Sequence, residues 1–548
     1  MKMERNLIFT AGIMLASFFA CLAGRTDDLH YFAEGYVTYD DGIAAEGVAV
    51  SDGFRVAVTD GEGKYRLATS PDTRYIYFSY PEDARITFNE NGLPDFFIRY
   101  VPSVTRYDFM MERGEYEEEF SLFALADPQA HSRVVKGQNT LQVDRFHNES
   151  VQAVNAHIAT KKIPCYAVTL GDIVYSEGTR NTVGDMPLMR KYMSEMDMPV
   201  FQTMGNHDFT YFHSSCPISA DSLSSTANLH AQRAFEDAFG PVNYSFNRGD
   251  VHIVCMRDIV FDSNVNAGKY HGGFSPAQIM WLKSDLDAVP KDKTVILCLH
   301  IPLVGTFSRE GSNTDVVVAL LRQFKDAHIF SGHTHYMRNL TSEETPMGVY
   351  EHIHAAVSGA WWWSDYNGDG SPNGFGVYDF RGSSMVNDYF VGVNGGNDYR
   401  SNQMRLYRGD EITGGEYEYF RWNEGADVLL ANVFNSDSNW KLEVYEDGVL
   451  SGEMTRMPAS NARPEYVEGV VTTVPSGSTK DWWVIGYHVG VVGRGHGSGG
   501  RNNYLNSGFH MYSYRLKNPA SSVRVVATDT FGNTYECSEI TPGREYGR

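Results

Sequence analysis

The chain has 548 residues, enough for about three domains, and 42% of them are hydrophobic and 21% charged, a composition typical of globular rather than disordered proteins. Its 68 acidic and 46 basic residues give a formal net charge of −22, which argues against nucleic acid as a partner because an acidic surface repels polyanions. A compact phosphate ester can still bind such a chain where cations neutralise it locally, which points toward a metal site.

The first residues have the pattern of an export signal. Lys2 and Arg5 precede an apolar run over residues 7–20, which is too short to span a bilayer. The run leads into Cys21 and resembles a bacterial lipoprotein signal, in which Cys21 would be lipidated; the alternative is simple cleavage near Ala23 or Gly24. We therefore expect residues 1–24 to be a signal peptide. The protein is then expected in the periplasm, on the cell surface as an outer-membrane lipoprotein, or secreted, with membrane attachment through Cys21 only.

Residues 30–113 consist of short alternating runs separated by turn signals. Asp-Gly pairs beginning at Asp41, Asp52 and Asp60 predict β-hairpins, because this dipeptide suits the tight turns that join antiparallel strands. Several short strands at regular spacing predict a small β-sandwich. We find no catalytic residues in this segment.

Residues 117–397 have a different pattern, in which apolar strands alternate with helices, and this predicts α/β layering. Strands are expected over residues 121–126, 165–170, 200–204, 295–299 and 327–330, and helices over residues 138–158, 186–196, 276–289 and 315–324. Residues 405–548 return to strands, one of them over residues 482–489, and predict a C-terminal β-sandwich.

Five short polar segments directly follow strands of the predicted central domain. They are Asp127-Pro128-Gln129, Gly171-Asp172, Gly205-Asn206-His207-Asp208, His300 with Pro302, and Gly332-His333-Thr334-His335. Because α/β sheets place their sites at the carboxyl ends of strands, we expect these side chains to meet. The glycines before Asp172, Asn206 and His333 are expected to let the backbone turn sharply. Carboxylate, amide and imidazole ligands suit Mn²⁺, Fe or Zn²⁺, and a pair of such ions activates water and neutralises a phosphoryl group.

In this order the five segments resemble those of the calcineurin-like metallophosphoesterases over residues 121–335. The resemblance implies a four-layer fold of two facing β-sheets flanked by helices, completed by residues up to about 397. It also implies a division of the ligands between two cations. The first would be held by Asp127, Gln129, Asp172 and His335, and the second by Asp172, Asn206, His300 and His333. In the same resemblance, His207 contacts the phosphate and protonates the leaving oxygen, and Asp208 orients His207 by a hydrogen bond.

Two positions depart from the family pattern. Most members have His where this chain has Gln129, and an amide oxygen is a weaker ligand, so the first cation is expected to bind loosely or to be a harder ion such as Mn²⁺. His131 is the alternative ligand. The Asp-x-Gln motif resembles that of manganese-dependent ADP-ribose/CDP-alcohol diphosphatases, which favours a phosphodiester or pyrophosphate substrate. Tyr175 stands where many relatives carry an acidic residue, and the loss of that acidic residue is expected to tune activity rather than abolish it.

The predicted function is therefore hydrolysis of a small phosphate ester by a dinuclear metal centre. The alternatives are a phosphomonoesterase with the same site and a non-catalytic, surface glycan-binding protein with a degenerate core. Outside the centre, residues 361–363 are three consecutive tryptophans that are expected either to line a substrate pocket or to join domains. His352 and His354 share one strand face and are expected to be packed or surface histidines.

Overall fold

The computed structural model describes residues 32–132, 140–175, 182–209, 229, 231–261, 270–393, 399–410, 412–413, 420–421, 424–458, 465–467, 470–473, 479–488 and 508–541. The expected signal peptide and Cys21 lie outside these residues, and both stay predictions. Within the described part of the chain, no helix combines the length and the apolar character needed to cross a bilayer.

The N-terminal region forms two four-stranded sheets. Its strands are β1 (Phe32–Tyr39), β2 (Ala49–Ser51), β3 (Val56–Val58), β4 (Lys64–Ala68), β5 (Tyr75–Phe78), β6 (Ala84–Arg85), β7 (Phe97–Arg99) and β8 (Phe109–Arg113). One sheet has the order β4-β1-β8-β6 and the other β3-β2-β5-β7. Every second residue of β1 is buried, which is the period expected of a strand with one face in a core. The predicted N-terminal β domain is confirmed.

The central region contains two large sheets. Its strands are β9 (Glu119–Leu125), β10 (Cys165–Thr169), β11 (Val200–Phe201), β12 (Asn243–Arg248), β13 (Val251–Met256), β14 (Ile259–Phe261), β15 (Tyr270–Gly272), β16 (Thr294–Cys298), β17 (Asp326–Ser331), β18 (Arg338–Leu340), β19 (Tyr350–Ile353), β20 (Gly374–Arg381) and β21 (Ser384–Gly392). The sheet orders are β11-β10-β9-β20-β21 and β12-β13-β16-β17-β19-β18. Side chains from both sheets, including Leu122 and Ile253, share one buried core. The predicted facing-sheet architecture is confirmed.

Helices cover the outer faces of the two central sheets. They are Gln142–Arg145, continued by a π-helical turn at Phe146–Val151 and by Gln152–Ile158, then Thr182–Met193, Arg233–Phe239, Pro276–Asp287 and Thr314–Leu321. The helix from Pro276 begins with a capping box, in which Ser275 and Gln278 satisfy each other's backbone N–H groups, and with proline in the first turn. Its Trp281 and Leu282 are buried against the β13 and β16 side of the second sheet.

The chain direction of the strands places the predicted site at one edge of both sheets. Strands β9, β10 and β11 run parallel, and so do β13, β16, β17 and β19. Their carboxyl ends therefore lie at one edge of each sheet. At that edge Ala126 forms a parallel bridge with Ala356, and the Val357 N–H donates to the Ala126 carbonyl oxygen at 2.8 Å. The two sheets thus meet where the polar segments begin.

The C-terminal region again forms two four-stranded sheets, with two short hairpins. Its strands are β22 (Met404–Arg408), β23 (Ile412–Thr413), β24 (Phe420–Arg421), β25 (Val428–Val433), β26 (Lys441–Glu446), β27 (Val449–Glu453), β28 (Thr455–Arg456), β29 (Glu465–Val467), β30 (Val470–Thr473), β31 (Met511–Arg515), β32 (Val523–Thr528) and β33 (Thr534–Cys537). The large sheets have the orders β22-β25-β31-β28 and β27-β26-β32-β33. This confirms the predicted β-rich end, while the boundaries 30–113, 117–397 and 405–548 stay predictions.

One predicted strand of the C-terminal region is a helix. The strand expected over residues 482–489 is replaced by the helix Trp482–Tyr487, whose N-cap Asp481 accepts a hydrogen bond from the Val484 N–H. The segment is apolar without a clear period, and such a run does not distinguish a buried strand from a buried helix. The cap at Asp481 is the local signal that favours the helix.

Candidate metal centre

The predicted ligands occupy an unusual backbone conformation at the ends of their strands. Five of them have positive φ angles, a region that non-glycine residues rarely adopt. They are Asp127 (49°), Gln129 (37°), Asp172 (51°), His333 (69°) and His335 (52°). Each such residue costs on the order of 1–3 kcal/mol, and clusters of them are typical of functional sites.

Three glycines let the ligand segments approach one another. Gly171 has a φ of 83°, in keeping with the sharp turn predicted before Asp172. The other two are needed for a different reason. A Cβ on Gly205 would lie 2.0 Å from the backbone N of Asp172, and one on Gly332 would lie 2.5 Å from Asp127 Oδ2. Close packing of ligand loops, rather than a turn, therefore requires glycine at these two positions.

One group of predicted ligands is centred on His300. Its Nε2 lies 2.8 Å from Asn206 Oδ1, 3.1 Å from His333 Nδ1 and 3.2 Å from Asp172 Oδ1. Ligand atoms of Asp172, His300 and His333 all lie within 4.8 Å of one another. The His300 Nδ1–H can donate to the Leu170 carbonyl oxygen at 2.8 Å, which leaves the Nε2 lone pair for a cation.

The electrostatics of this group favour positive charge. Burial lowers the pKa of His300, but the adjacent carboxylate of Asp172 outweighs it and raises the pKa to about 10. Burial and the charge of His300 lower the pKa of His333 to about 4. A single positive charge is therefore stabilised between these side chains, and a divalent cation fits the same place and ligand set.

A second group lies on the other side of Asp172. Gln129 Nε2 donates to Asp172 Oδ2 at 2.8 Å, and His335 Nε2 lies 3.4 Å from Asp127 Oδ1. Asp127 Oδ1 and Gln129 Oε1 are buried and, among the described residues, have no hydrogen-bond partner. Buried acceptors without a donor are costly, and a cation bound by both oxygens would remove this cost. The residues present therefore fit a second metal ion.

His207 lies beside both groups. Its backbone N–H donates to Asp172 Oδ1 at 2.7 Å, and its Nε2 lies 3.9 Å from Asp172 Oδ2. Its side chain is 23% exposed, more than the side chains of Asp172 and His300. The ring of Tyr175 stacks on it, with ring centroids 5.6 Å apart and an interplanar angle of 16°.

Asp208 is tied to the backbone of neighbouring ligand segments. Its carboxylate accepts hydrogen bonds from the N–H groups of Ile173 (2.9 Å), Val174 (3.1 Å) and Gly205 (2.8 Å). Burial and the charge of Asp172 raise the pKa of Asp208 to about 8. These contacts give Asp208 a role in holding the loops, and its predicted hydrogen bond to His207 stays a prediction.

The family models match three consecutive segments of the chain. They are the N terminal of calcineurin-like phosphoesterase at residues 33–114, calcineurin-like phosphoesterase at residues 120–337, and the C terminal of calcineurin-like phosphoesterase at residues 351–535. The chain belongs to the calcineurin-like phosphoesterases. The predicted family is confirmed, and this phosphoesterase is a metal-dependent hydrolase of phosphate esters.

Solved structures similar to the phosphoesterase include the following three. The purple acid phosphatase PPD1 from yellow lupin is 12% identical, with a TM-score of 0.34 and 67% of each chain covered. GAP50, the anchor in the inner membrane complex of Plasmodium, is 16% identical, with a TM-score of 0.33, 51% of this chain and 86% of that chain covered. The calcineurin-like phosphoesterase YfkN from Bacillus subtilis is 13% identical, with a TM-score of 0.26 and coverages of 50% and 91%. No curated protein matches the chain.

Two residues that contact the proposed ligands were not predicted from the sequence. Asp258, which follows β13, accepts hydrogen bonds from the backbone N–H groups of His300 (3.3 Å) and Ile301 (2.8 Å). It stands just beyond a strand end, so the rule that found the ligands could have found it. Tyr270 packs edge-on to His333 with ring centroids 5.9 Å apart, and nothing in its local pattern predicted this.

Three further histidines were considered from the sequence. His131 packs against Tyr175, with ring centroids 5.3 Å apart, and its place as the alternative to Gln129 stays a prediction. His352 and His354 are buried; His354 Nε2 lies 2.7 Å from the Tyr378 hydroxyl, and His352 Nε2 lies 3.1 Å from His328 Nδ1. Their surroundings are those of packed core histidines.

Proposed function

We propose that the phosphoesterase hydrolyses a phosphodiester or pyrophosphate with two divalent cations held on either side of Asp172. The observation that carries the proposal is the position of this carboxylate. Its Oδ1 lies 3.2 Å from His300 Nε2, and its Oδ2 accepts a hydrogen bond from Gln129 at 2.8 Å. One side chain thus contacts both ligand groups, as a bridging ligand must.

The two proposed metal positions differ in chemistry. The first is formed by Asp127, Gln129, Asp172 and His335 and is rich in oxygen. The second is formed by Asp172, Asn206, His300 and His333 and has two imidazoles. Oxygen ligands favour harder ions, so we propose Mn²⁺ for the first position, with Mn²⁺, Fe or Zn²⁺ at the second.

The cations would supply a nucleophile at neutral pH and neutralise the phosphoryl oxygens. The protein's own residues would position the ligands and protonate the leaving oxygen. Three strand-end loops hold the ligands in strained conformations, so the pocket is organised before substrate binds. His207 is the proposed acid that protonates the leaving oxygen, because it lies beside Asp172 and is partly exposed.

A diester or pyrophosphate is favoured over a monoester by Gln129. The Asp-x-Gln motif resembles that of manganese-dependent ADP-ribose/CDP-alcohol diphosphatases, which act on such bonds, and in this chain Gln129 Oε1 is a buried oxygen open to a cation. The support for this substrate class therefore comes from Gln129, the position where the chain departs from the usual family pattern.

The direct test compares para-nitrophenyl phosphate with its bis-ester and with a nucleoside diphosphate sugar, each in Mn²⁺, in Zn²⁺ and with chelator. We expect hydrolysis of the bis-ester or the pyrophosphate to have a higher kcat/KM than hydrolysis of the monoester. Chelator should inhibit this hydrolysis. The His207→Ala variant serves as the control for contaminating activity. Faster turnover of the monoester would contradict the substrate class, and no turnover of any ester in either metal would contradict the hydrolytic proposal.

We also propose that the phosphoesterase is exported. The support is the basic and apolar pattern of residues 1–24 together with Cys21. Fractionation of cells expressing the full chain should find it outside the cytoplasm, and mass spectrometry should find lipid on Cys21 or cleavage near Ala23. Recovery of the uncleaved chain in the cytoplasm would contradict this proposal.

A further inference from the structure

The backbone of residues 300–304, which follows β16 and begins at His300, is held by two side chains. These are Asp258 and Glu351, both fully buried, which we name the carboxylate pair. Every backbone N–H group of the segment bonds to the pair, since Pro302 has none. The four hydrogen bonds run from His300 to Asp258 Oδ1 (3.3 Å), from Ile301 to Asp258 Oδ2 (2.8 Å), from Leu303 to Glu351 Oε1 (2.6 Å) and from Val304 to Glu351 Oε2 (3.0 Å). The segment is therefore anchored on both sides of its proline.

The two carboxylates reach the segment from opposite sides of β16. Asp258 lies just after β13 and Glu351 lies on β19, and the sheet order is β13-β16-β17-β19. Glu351 Oε1 also accepts a hydrogen bond from Ser331 Oγ, at the end of β17, at 3.4 Å. His333 follows Ser331 by two residues. The carboxylate pair thus joins the two segments that carry the histidines proposed for the second cation.

The chemistry of the carboxylate pair suits this task better than that of amides would. Burial makes a charged group costly, so an amide of the same shape would be easier to bury. An amide, however, has one acceptor oxygen and would set its NH₂ group against the second backbone N–H. Each member of the pair uses both of its oxygens on neighbouring N–H groups. The arrangement therefore favours a fixed position of the segment over ease of burial.

We propose that Asp258 and Glu351 are positioning residues for the second cation, because they fix the segment that places His300. This inference rests on the proposed function, which assigns His300 and His333 to that cation. His300 Nε2 lies 3.1 Å from His333 Nδ1 and 3.2 Å from Asp172 Oδ1. A shift of the His300 backbone would change both distances, so the carboxylate pair holds the ligand group in the arrangement that a cation needs.

The carboxylate pair should affect the two cations differently. Within the described residues, neither carboxylate hydrogen-bonds to the side chains proposed for the first cation alone, which are those of Asp127, Gln129 and His335. Removal of a group that orients a metal ligand commonly weakens metal binding by about 10- to 100-fold. We therefore expect changes in the pair to weaken the second cation by this factor and to leave the first cation bound.

The test uses Asp258→Asn and Glu351→Gln, which keep the side-chain shape, in the full chain loaded with Mn²⁺. Elemental analysis over a series of chelator concentrations should find about two ions in the parent protein and about one in each variant, at concentrations where the parent still holds both. Electron paramagnetic resonance should show a coupled pair of ions in the parent and an isolated Mn²⁺ in the variants. Thermal midpoints of the metal-free proteins are measured alongside.

The matched control is Asp388→Asn, the same change at a buried carboxylate that accepts a hydrogen bond from Asn435 instead. It should retain both ions. Glu351→Asp keeps a carboxylate on a shorter side chain and replaces Glu351→Gln if that variant folds poorly. It should weaken the second cation less than the amide does, but more than the control.

Three results would contradict these expectations. Two ions held as tightly by the variants as by the parent would overturn the role of the carboxylate pair alone. Loss of both ions together, with a lower thermal midpoint of the metal-free chain, would also overturn it, because the pair would then serve the fold and not the second cation. A parent protein that binds no Mn²⁺ would instead overturn the proposed function.

Discussion

The ring of Tyr175 lies nearly parallel to that of His207, with centroids 5.6 Å apart and an interplanar angle of 16°. The stack restricts the imidazole that we propose as the acid. Tyr175→Leu should therefore lower kcat by about 10- to 100-fold, the usual effect of removing a group that orients a functional side chain. Tyr175→Phe keeps the ring and should retain most activity. Equal losses in both variants would show that the hydroxyl, and not the stack, matters.

His207→Ala should lower kcat by about 10²–10⁴-fold, because the leaving oxygen would depart without a proton donor. Its backbone N–H, which bonds to Asp172, is retained in this variant, so the ligand groups should be undisturbed. Elemental analysis should find the same metal content as in the parent protein. An unchanged rate would remove His207 from its proposed role.

Gln129→His should raise the affinity for the first cation, since imidazole is a better ligand for Mn²⁺ or Zn²⁺ than an amide oxygen. Histidine tolerates the positive φ of this position better than most residues. We expect the chelator concentration that removes this ion to rise by about tenfold, equivalent to about 1.4 kcal/mol. Gln129→Leu, of similar size but without ligand atoms, should lose the ion. Identical chelator curves for both variants would contradict the assignment of Gln129.

Asp388 on β21 should make folding stability depend on pH. It accepts a hydrogen bond from Asn435 of the C-terminal region at 3.0 Å, and burial, with the charges of Asp437 and Asp529, raises its pKa from 3.8 to about 8. The folded chain thus keeps a proton that the unfolded chain has lost. Stability from this group is fully present below about pH 4 and is lost as pH rises toward 8.

The measurement is the thermal midpoint at pH 5 and pH 8. Asp388→Asn should reduce the fall in Tm between the two values, because the amide does not titrate. The control is Asp292→Asn, a substitution at an exposed residue, which should leave the fall in Tm between pH 5 and pH 8 unchanged. An equal fall in Tm in Asp388→Asn and in the parent protein would contradict the assignment of this pH dependence to Asp388.

The ligand segments could be predicted because each follows an apolar strand directly. Asp127, Asp172 and His300 stand at the carboxyl ends of buried strands, and the topology of parallel sheets brings such ends to one edge. The alternation of short strands with Asp-Gly turns likewise predicted the N-terminal sheets. Local pattern and fold agree at these places, so the sequence was sufficient.

Other features depend on contacts between distant segments. The apolar residues of Trp482–Tyr487 fit a strand or a helix equally well, and the cap at Asp481 together with the packing of the buried indoles favours the helix. The places of Tyr270 at His333 and of Trp361 at His335 follow from how separate loops close over the site. The aromatic residues that pack against the proposed ligands are therefore less predictable from sequence than those ligands themselves.

The most direct test of the account is the number of cations held by the full chain. After loading with Mn²⁺ and removal of free metal, elemental analysis should find about two ions per chain, and about one in Asn206→Ala, whose Oδ1 lies 2.8 Å from His300 Nε2 in the parent protein. The same count in Asn206→Ala as in the parent, or no more than a trace of metal in the parent, would contradict a dinuclear centre built around Asp172.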